Sequence, residues 1–311
     1  MALPASDIFR SLDQALAAAV AAAGPSVVHV SRGRGGGSGI VWSDDLVVSS
    51  SFHTPDRTRV GIAGAAAGAD AGAEGPELEE REAEVIGRDP GTDLALLRVA
   101  GGGLPPARLR ELDGLAVGNL ALAVGRPGRT ARASLRAIGV LGPEIRTPWG
   151  GRLERYVESD RQIPRGFAGG PLIDADGAVI GMNTRTLVRG ADLAIPAVTL
   201  RRVVAELAAH GGIRRGYLGV GAYPVQLSAQ LAALAGGAAR GALIGGVEDG
   251  SPAAAGGVQV GDILVELDGA AVTGPDGLRA VLGDRPGKAA TLVVLRGGAR
   301  HELTVAIGSK S

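Results

Sequence analysis

The sequence predicts a mainly β chain of two units, entered through an N-terminal helix. Three observations predict it. The 311 residues include 52 glycines, which suits short strands joined by many turns. Hydrophobic residues make up 45% of the chain but aromatics only 3%, so Val, Ile, Leu and Ala must fill the core. The apolar residues also fall in short runs bounded by Gly, Pro or Asp, with few long helical stripes. The length suffices for two ordinary domains.

The elements follow in order. Residues 6–23 read as a helix, with Ile8, Leu12, Leu16 and Ala19 on one face, Ser6 or Asp7 as its cap and Gly24-Pro25 as its stop. It reads as a helix packed on a domain surface in preference to a membrane anchor. Strands are expected at 27–30, 40–42, 46–49 and 59–62, with turns at 33–39 and at Asp44-Asp45. Residues 63–80 are Gly/Ala-rich and then acidic, the composition of a flexible surface loop. Strands resume at 84–86, 94–99, 120–124, 136–141 and 156–159, and 172–173 pairs with 179–183 across Asp176-Gly177. Such a series argues for an all-β sandwich or a pair of barrels. A helix at 197–210 presents Leu200, Val203, Val204 and Leu207 on one face and ends at Gly211-Gly212. The second unit carries strands near 218–220, 242–247, 263–267, 291–295 and 302–307, short helices near 252–255 and 275–282, and hairpin turns at Asp268-Gly269 and Gly297-Gly298. The expected division is therefore 1–24, 25–211 and 212–311.

Composition narrows the function. The 32 basic and 32 acidic residues cancel, and no polybasic run marks a nucleic-acid or membrane-surface partner. There is no Cys, which excludes disulfides, thiolate catalysis and Cys-ligated metal. No apolar run reaches the roughly 18–20 residues of a membrane span. Asp7, Arg10 and Asp13 stand where the apolar core of a leader peptide would begin, so the reading favours the cytoplasm, with a periplasmic or secreted location if a leader has been removed. No two of the four histidines have metal-site spacing, and His29, His210 and His301 read as strand, helix or surface residues. No cofactor is implied.

The segment Gly166-Phe167-Ala168-Gly169-Gly170-Pro171-Leu172 carries the chemistry. Its glycines allow a sharply turning loop that presents backbone N–H groups to an oxyanion. With Ser in place of Ala168 it would read as the nucleophile loop of the trypsin-like serine proteases. Two other pieces precede it in the order His, Asp, nucleophile. Val47-Val48-Ser49-Ser50-Ser51-Phe52-His53-Thr54 resembles the strand end that carries a catalytic His, and Asp89-Pro90-Gly91-Thr92-Asp93-Leu94-Ala95-Leu96 resembles the segment with the triad Asp, at Asp93. Gly37-Ser38-Gly39-Ile40, Gly181-Met182-Asn183-Thr184 and Leu193-Ala194-Ile195-Pro196 complete the set. Together they are similar to the HtrA (Deg) family of trypsin-like serine proteases.

The resemblance covers essentially residues 25–311. It implies a trypsin-like double β-barrel followed by a PDZ domain, with a His base, an orienting Asp and an oxyanion hole made by the backbone N–H groups of Gly166 and Ala168. It also implies a possible homotrimer. Two departures count against catalysis. Ala168 has no hydroxyl to attack a carbonyl. An ungapped count from Val47-Val48 puts Phe52 in the base slot and His53 one residue late, unless a bulge restores His53. Ser49, Ser50 and Ser51 lie in the wrong loop to replace the nucleophile. Ile163-Pro164-Arg165 and residues 186–191 are expected to border the specificity pocket.

In the second unit, Arg215-Gly216-Tyr217-Leu218-Gly219-Val220 resembles the carboxylate-binding loop of HtrA-type PDZ domains, and Gly250-Ser251-Pro252-Ala253 with Val260-Gly261-Asp262-Ile263 resembles the turns that follow it. The resemblance implies strand addition of a peptide after Tyr217, beside a helix carrying Leu278 and Leu282, with the N–H groups of Leu218, Gly219 and Val220 receiving a C-terminal carboxylate. The expected function is thus an HtrA-like homologue that binds peptides, protein C-termini or unfolded proteins and has lost proteolysis. The alternative is an active serine endopeptidase carrying a Ser-to-Ala change.

Overall fold

The structure, a computed structural model, describes residues 5–32, 35–63, 77–188, 190–283 and 285–310. The chain divides into two compact units, Met1–Ile213 and Arg214–Ser311. The mainly β class expected from the sequence is the class observed.

The first unit opens with helix α1 (Ala5–Ala23), so Asp7 lies inside its first turn and not at its cap. Only its C-terminal half packs: Ala19 and Ala23 are buried, whereas Ile8, Phe9 and Leu12 are exposed. Six strands then close a barrel: β1 (Val27–Arg32), β2 (Gly35–Val41), β3 (Leu46–Ser50), β4 (Arg57–Ala63), β5 (Leu78–Asp89) and β6 (Leu94–Val99), in the order β1-β2-β3-β6-β5-β4. A second barrel uses β7 (Leu120–Gly125), β8 (Arg132–Gly142), β11 (Tyr156–Ser159), β12 (Pro171–Ile173), β13 (Val179–Val188) and β14 (Ala191–Pro196). A small ribbon, β9 (Ile145–Arg146) with β10 (Arg152–Leu153), interrupts it.

Strand alternation builds two kinds of core. On β6, Ala95, Leu97 and Val99 point into the first barrel with Val28, Val41 and Val47. Leu94 and Leu96 point the other way, into a shared layer with Leu122, Ile173, Met182 and Ile195. Helix α2 (Ala197–His210) joins this layer through Leu200, Val203, Val204 and Leu207. It stops at Gly211, whose φ of 72° is the left-handed cap that glycine favours.

Two expectations are corrected. Residues 33 and 34 of the expected turn lie outside the described residues, and residues 35–39 are not a turn: residues 35–41 form β2, paired with β1 from Arg32↔Gly35 to Val27↔Ile40. Its glycines serve close approach, since a Cβ on Gly36 would sit 1.9 Å from His29 Cε1. The segment expected to be loop as far as 80 becomes strand at Leu78, because β5 pairs with β4 through Glu79, Glu80 and Glu82; residues 64–76 of that segment lie outside the described residues.

The second unit is a sheet of β16 (Val220–Gln226), β17 (Arg240–Val247), β18 (Ile263–Leu267), β20 (Ala289–Arg296) and β21 (Ala299–Ala306), in that order, with β19 (Ala270–Ala271) beside β18. A ribbon of β15 (Arg215–Tyr217) and β22 (Gly308–Lys310) accompanies it. The strand expected near 218–220 is therefore two strands, separated at Leu218-Gly219. Helices α3 (Ala229–Leu234), α4 (Pro252–Ala255) and α5 (Pro275–Leu282) complete the unit; α3 was not legible, being a single amphipathic turn and a half with no buried residue. Leu218, Ala253, Leu278 and Leu282 join Leu264, Leu292 and Val294 in one core.

Candidate functional site

The site lies at the seam of the two barrels. Ser38 on β2 pins the Ala168 loop there: its Oγ donates to Gly166 O at 2.7 Å, its N–H donates to Ala168 O at 3.2 Å, and its Oγ accepts from Arg126 N at 2.8 Å. Gly166 and Gly169 have φ of 83° and 84°, values that L side chains rarely adopt. Among the described residues, neither the Gly166 N–H nor the Ala168 N–H meets an acceptor.

Asp93 is fully buried and takes a left-handed φ of 56°, a conformation Asp tolerates better than most residues. Its carboxylate accepts from Thr184 Oγ1 at 2.6 Å, Ser50 Oγ at 2.7 Å and Phe52 N at 3.0 Å. Three donors suit an acceptor-only, ionised carboxylate. Burial nevertheless pushes its pKa upward, opposed by those hydrogen bonds and by His53.

Among the described residues no hydrogen bond joins His53 to Asp93 directly. Its Nδ1 lies 2.8 Å from Ser50 Oγ. The one Ser50 proton goes to the carboxylate, so Nδ1 keeps its own proton and donates to Ser50 Oγ, which leaves Nε2 with a lone pair. His53 lines a cavity of about 230 Å3 together with Ala168, Gly166 and Gly37. Burial lowers its pKa first, and the charges of Arg32 and Arg185 lower it further, while Asp93 opposes. Phe52 turns elsewhere: it is 37% exposed and its ring packs 5.7 Å from that of Trp149. Of the two residues considered for the base slot, the cavity therefore contains His53.

Among the described residues no group of three or more His, Asp or Glu could hold a metal ion, and no helix is long and apolar enough to cross a membrane.

The second unit carries a groove of about 190 Å3 lined by Tyr217, Leu218, Gly219, Val220, Leu278 and Leu282. Strand β16 is the edge of its sheet, the position from which a peptide can be added as a further strand. Among the described residues the Leu218 and Gly219 N–H groups meet no acceptor. Gly219 is required: its φ is 78°, and a Cβ there would lie 2.3 Å from Ser251 Cβ.

The comparisons agree with this fold. A trypsin-like peptidase domain matches residues 37–182 and a PDZ domain matches residues 216–307. A probable periplasmic serine endoprotease DegP-like of Pseudomonas fulva (strain 12-X) is 35% identical over 240 residues, 75% of this chain and 49% of that protein. Its counterpart in Halomonas elongata is 32% identical over 290 residues, 90% of this chain and 58% of that protein. The solved structure of the HtrA-type protease AlgW with decapeptide aligns at a TM-score of 0.68 and 26% identity, covering 95% of this chain and 99% of that one. The chain belongs to the HtrA family.

By fold it is a trypsin-like serine protease with a PDZ domain. It spans about half the length of the curated HtrA relatives it matches. Those relatives are named periplasmic, so the cytoplasmic expectation finds no support among them. Sequence reasoning missed three residues at this candidate site. Ser50 was weighed only as a nucleophile and is instead the link between His53 and Asp93. Arg32 and Arg185 were not singled out, although both line the cavity. Of the segment expected at the specificity pocket, Arg165 lines the cavity but Ile163 is buried in the second barrel core; residue 189 and the Thr186 side chain lie outside the described residues.

Proposed function

We propose that this chain is a pseudoprotease of the HtrA family, which binds polypeptides in the barrel cleft and in the PDZ groove without cleaving them. Ala168 carries the reading: it occupies the nucleophile position and offers no hydroxyl, so acylation by this route is not available. His53 and Asp93 take the other two triad positions, and the N–H groups of Gly166 and Ala168 form the oxyanion hole. The PDZ groove receives peptide ends, with Leu218, Gly219 and Val220 at the carboxylate and Leu278 and Leu282 beside the added strand. The names of its relatives, periplasmic serine endoproteases, support a place in the periplasm.

A second reading, an active endopeptidase carrying a Ser-to-Ala change, draws on one observation: His53 lines the cavity with Ala168. Incubation with an unfolded protein such as β-casein tests the leading reading. The unchanged chain binds casein and releases no fragments detectable by mass spectrometry. Fragment release overturns the pseudoprotease reading, and absence of binding overturns the binding role.

A further inference from the structure

We propose that the cleft beside Ala168 takes a carboxylate of the bound polypeptide, held by Arg32 and Arg165 together with the backbone N–H groups of Gly166 and Ala168. The inference rests on the reading of the cleft as a polypeptide-binding site and names the chemistry it selects.

Three arginines line this one cavity: Arg32 from the end of β1, Arg165 from the loop before β12 and Arg185 from β13. No carboxylate lines it with them. Among the described residues the Arg32 and Arg165 side chains have neither an ion pair nor a hydrogen-bond partner. Arg185 is poorly served: the nearest carboxylate oxygen, Asp192 Oδ2, is 3.8 Å away and already accepts from Ile163 N at 2.6 Å. Its buried Nε has no hydrogen-bond partner. The chain as a whole is neutral, so this concentration of cations is local.

Like charges gathered without a counter-ion repel one another, and a bound anion removes that repulsion. A guanidinium fork matches a carboxylate in shape and hydrogen-bond geometry. The two unpartnered N–H groups add donors of the kind that line anion-binding concavities. Burial first, and then the same charges, disfavour an imidazolium at His53 against the pull of Asp93.

The test uses the full chain and nine-residue peptides of Ala, Val and Ser, acetylated and amidated at their ends, with a central Glu or Gln. Binding is read by anisotropy of an uncharged dye at low salt, where charge effects are least screened. The Glu peptide is expected to bind about tenfold more tightly than the Gln peptide. In Arg32→Gln/Arg165→Gln that advantage disappears. Both side chains are exposed and unpartnered, so the thermal melt of the double variant should match the parent. A third peptide, with Gln at the centre and a free C-terminus, separates the sources: whichever carboxylate loses its advantage in the double variant is the one the cleft takes. Equal binding of all three peptides overturns the carboxylate proposal and leaves polypeptide binding intact. Failure of every peptide to bind overturns both. A Glu-over-Gln advantage undiminished in the double variant overturns the assignment to this cleft, whereas a persisting free-C-terminus advantage belongs to the second unit.

Discussion

Ser50 stands between His53 and Asp93, its Oγ 2.8 Å from the imidazole Nδ1 and 2.7 Å from the carboxylate Oδ1. The base candidate is thus oriented through a hydroxyl and only indirectly by the acid. Ser50→Ala removes both contacts and leaves Asp93 with Thr184 and Phe52 as donors. The expected cost is about 1–3 kcal/mol, the range for stranding a buried polar group. Urea unfolding of the variant checks it, and an unchanged midpoint would show that the bridge contributes nothing.

The electrostatics of His53 set a pH dependence. Its folded pKa lies below the ordinary imidazole value of about 6.5 because of burial, Arg32 and Arg185. Below that value the unfolded chain binds the proton first. Stability contributed at His53 is therefore complete above the ordinary value and is lost as pH falls toward the lowered one. NMR titration of the His53 ring should give a midpoint below 6.5, and Arg32→Gln should raise it. A midpoint that stays put in the variant would remove the arginine from the account.

Gly169 carries the sharp turn after Ala168. Its φ is 84°, and a Cβ there would fall 2.3 Å from Ser38 O and 2.8 Å from Ser50 N. Gly169→Ala should cost about 2–4 kcal/mol through strain and forced displacement of backbone. Calorimetry reads this as a lowered Tm; an unchanged Tm would mean the loop is not held as described.

How much of this was legible depends on where the information lies. Helix α2 matched its expected span because Gly211 supplies an unambiguous left-handed stop. The hairpin turns Asp268-Gly269 and Gly297-Gly298 were readable for the same reason, with positive φ at all four residues. The start of β2 was missed because its glycines look like turn residues, while Gly36 lets His29 approach; its end at Ile40-Val41 falls in the strand expected at 40–42. The start of β5 was missed because Glu79, Glu80 and Glu82 carry no apolar alternation. The segments that carry His53, Asp93 and Ala168 were legible as local motifs. The Ser50 bridge and the cluster of Arg32, Arg165 and Arg185 were not, because folding brings them together from separate segments.

The PDZ groove yields a further prediction. The unpartnered Leu218 and Gly219 N–H groups at its end await an acceptor. A peptide with a free C-terminus should bind the second unit about tenfold more tightly than its amide. The effect should persist in Arg32→Gln/Arg165→Gln and vanish in Gly219→Val, whose branched side chain would collide with Ser251. Equal affinity for acid and amide, measured by calorimetry, would place the contact elsewhere.

The most direct measurement is hydrolysis of unfolded casein by the unchanged chain and by Ala168→Ser, side by side. The account predicts no cleavage by the unchanged chain, which lacks the nucleophile. It also predicts none by the serine variant: His53 is linked to Asp93 through Ser50 and not by a direct hydrogen bond, and its protonation is opposed by burial first and then by Arg32 and Arg185, with Asp93 pulling the other way. Cleavage by Ala168→Ser at a rate typical of an active protease would contradict the account and establish an endopeptidase with a working base.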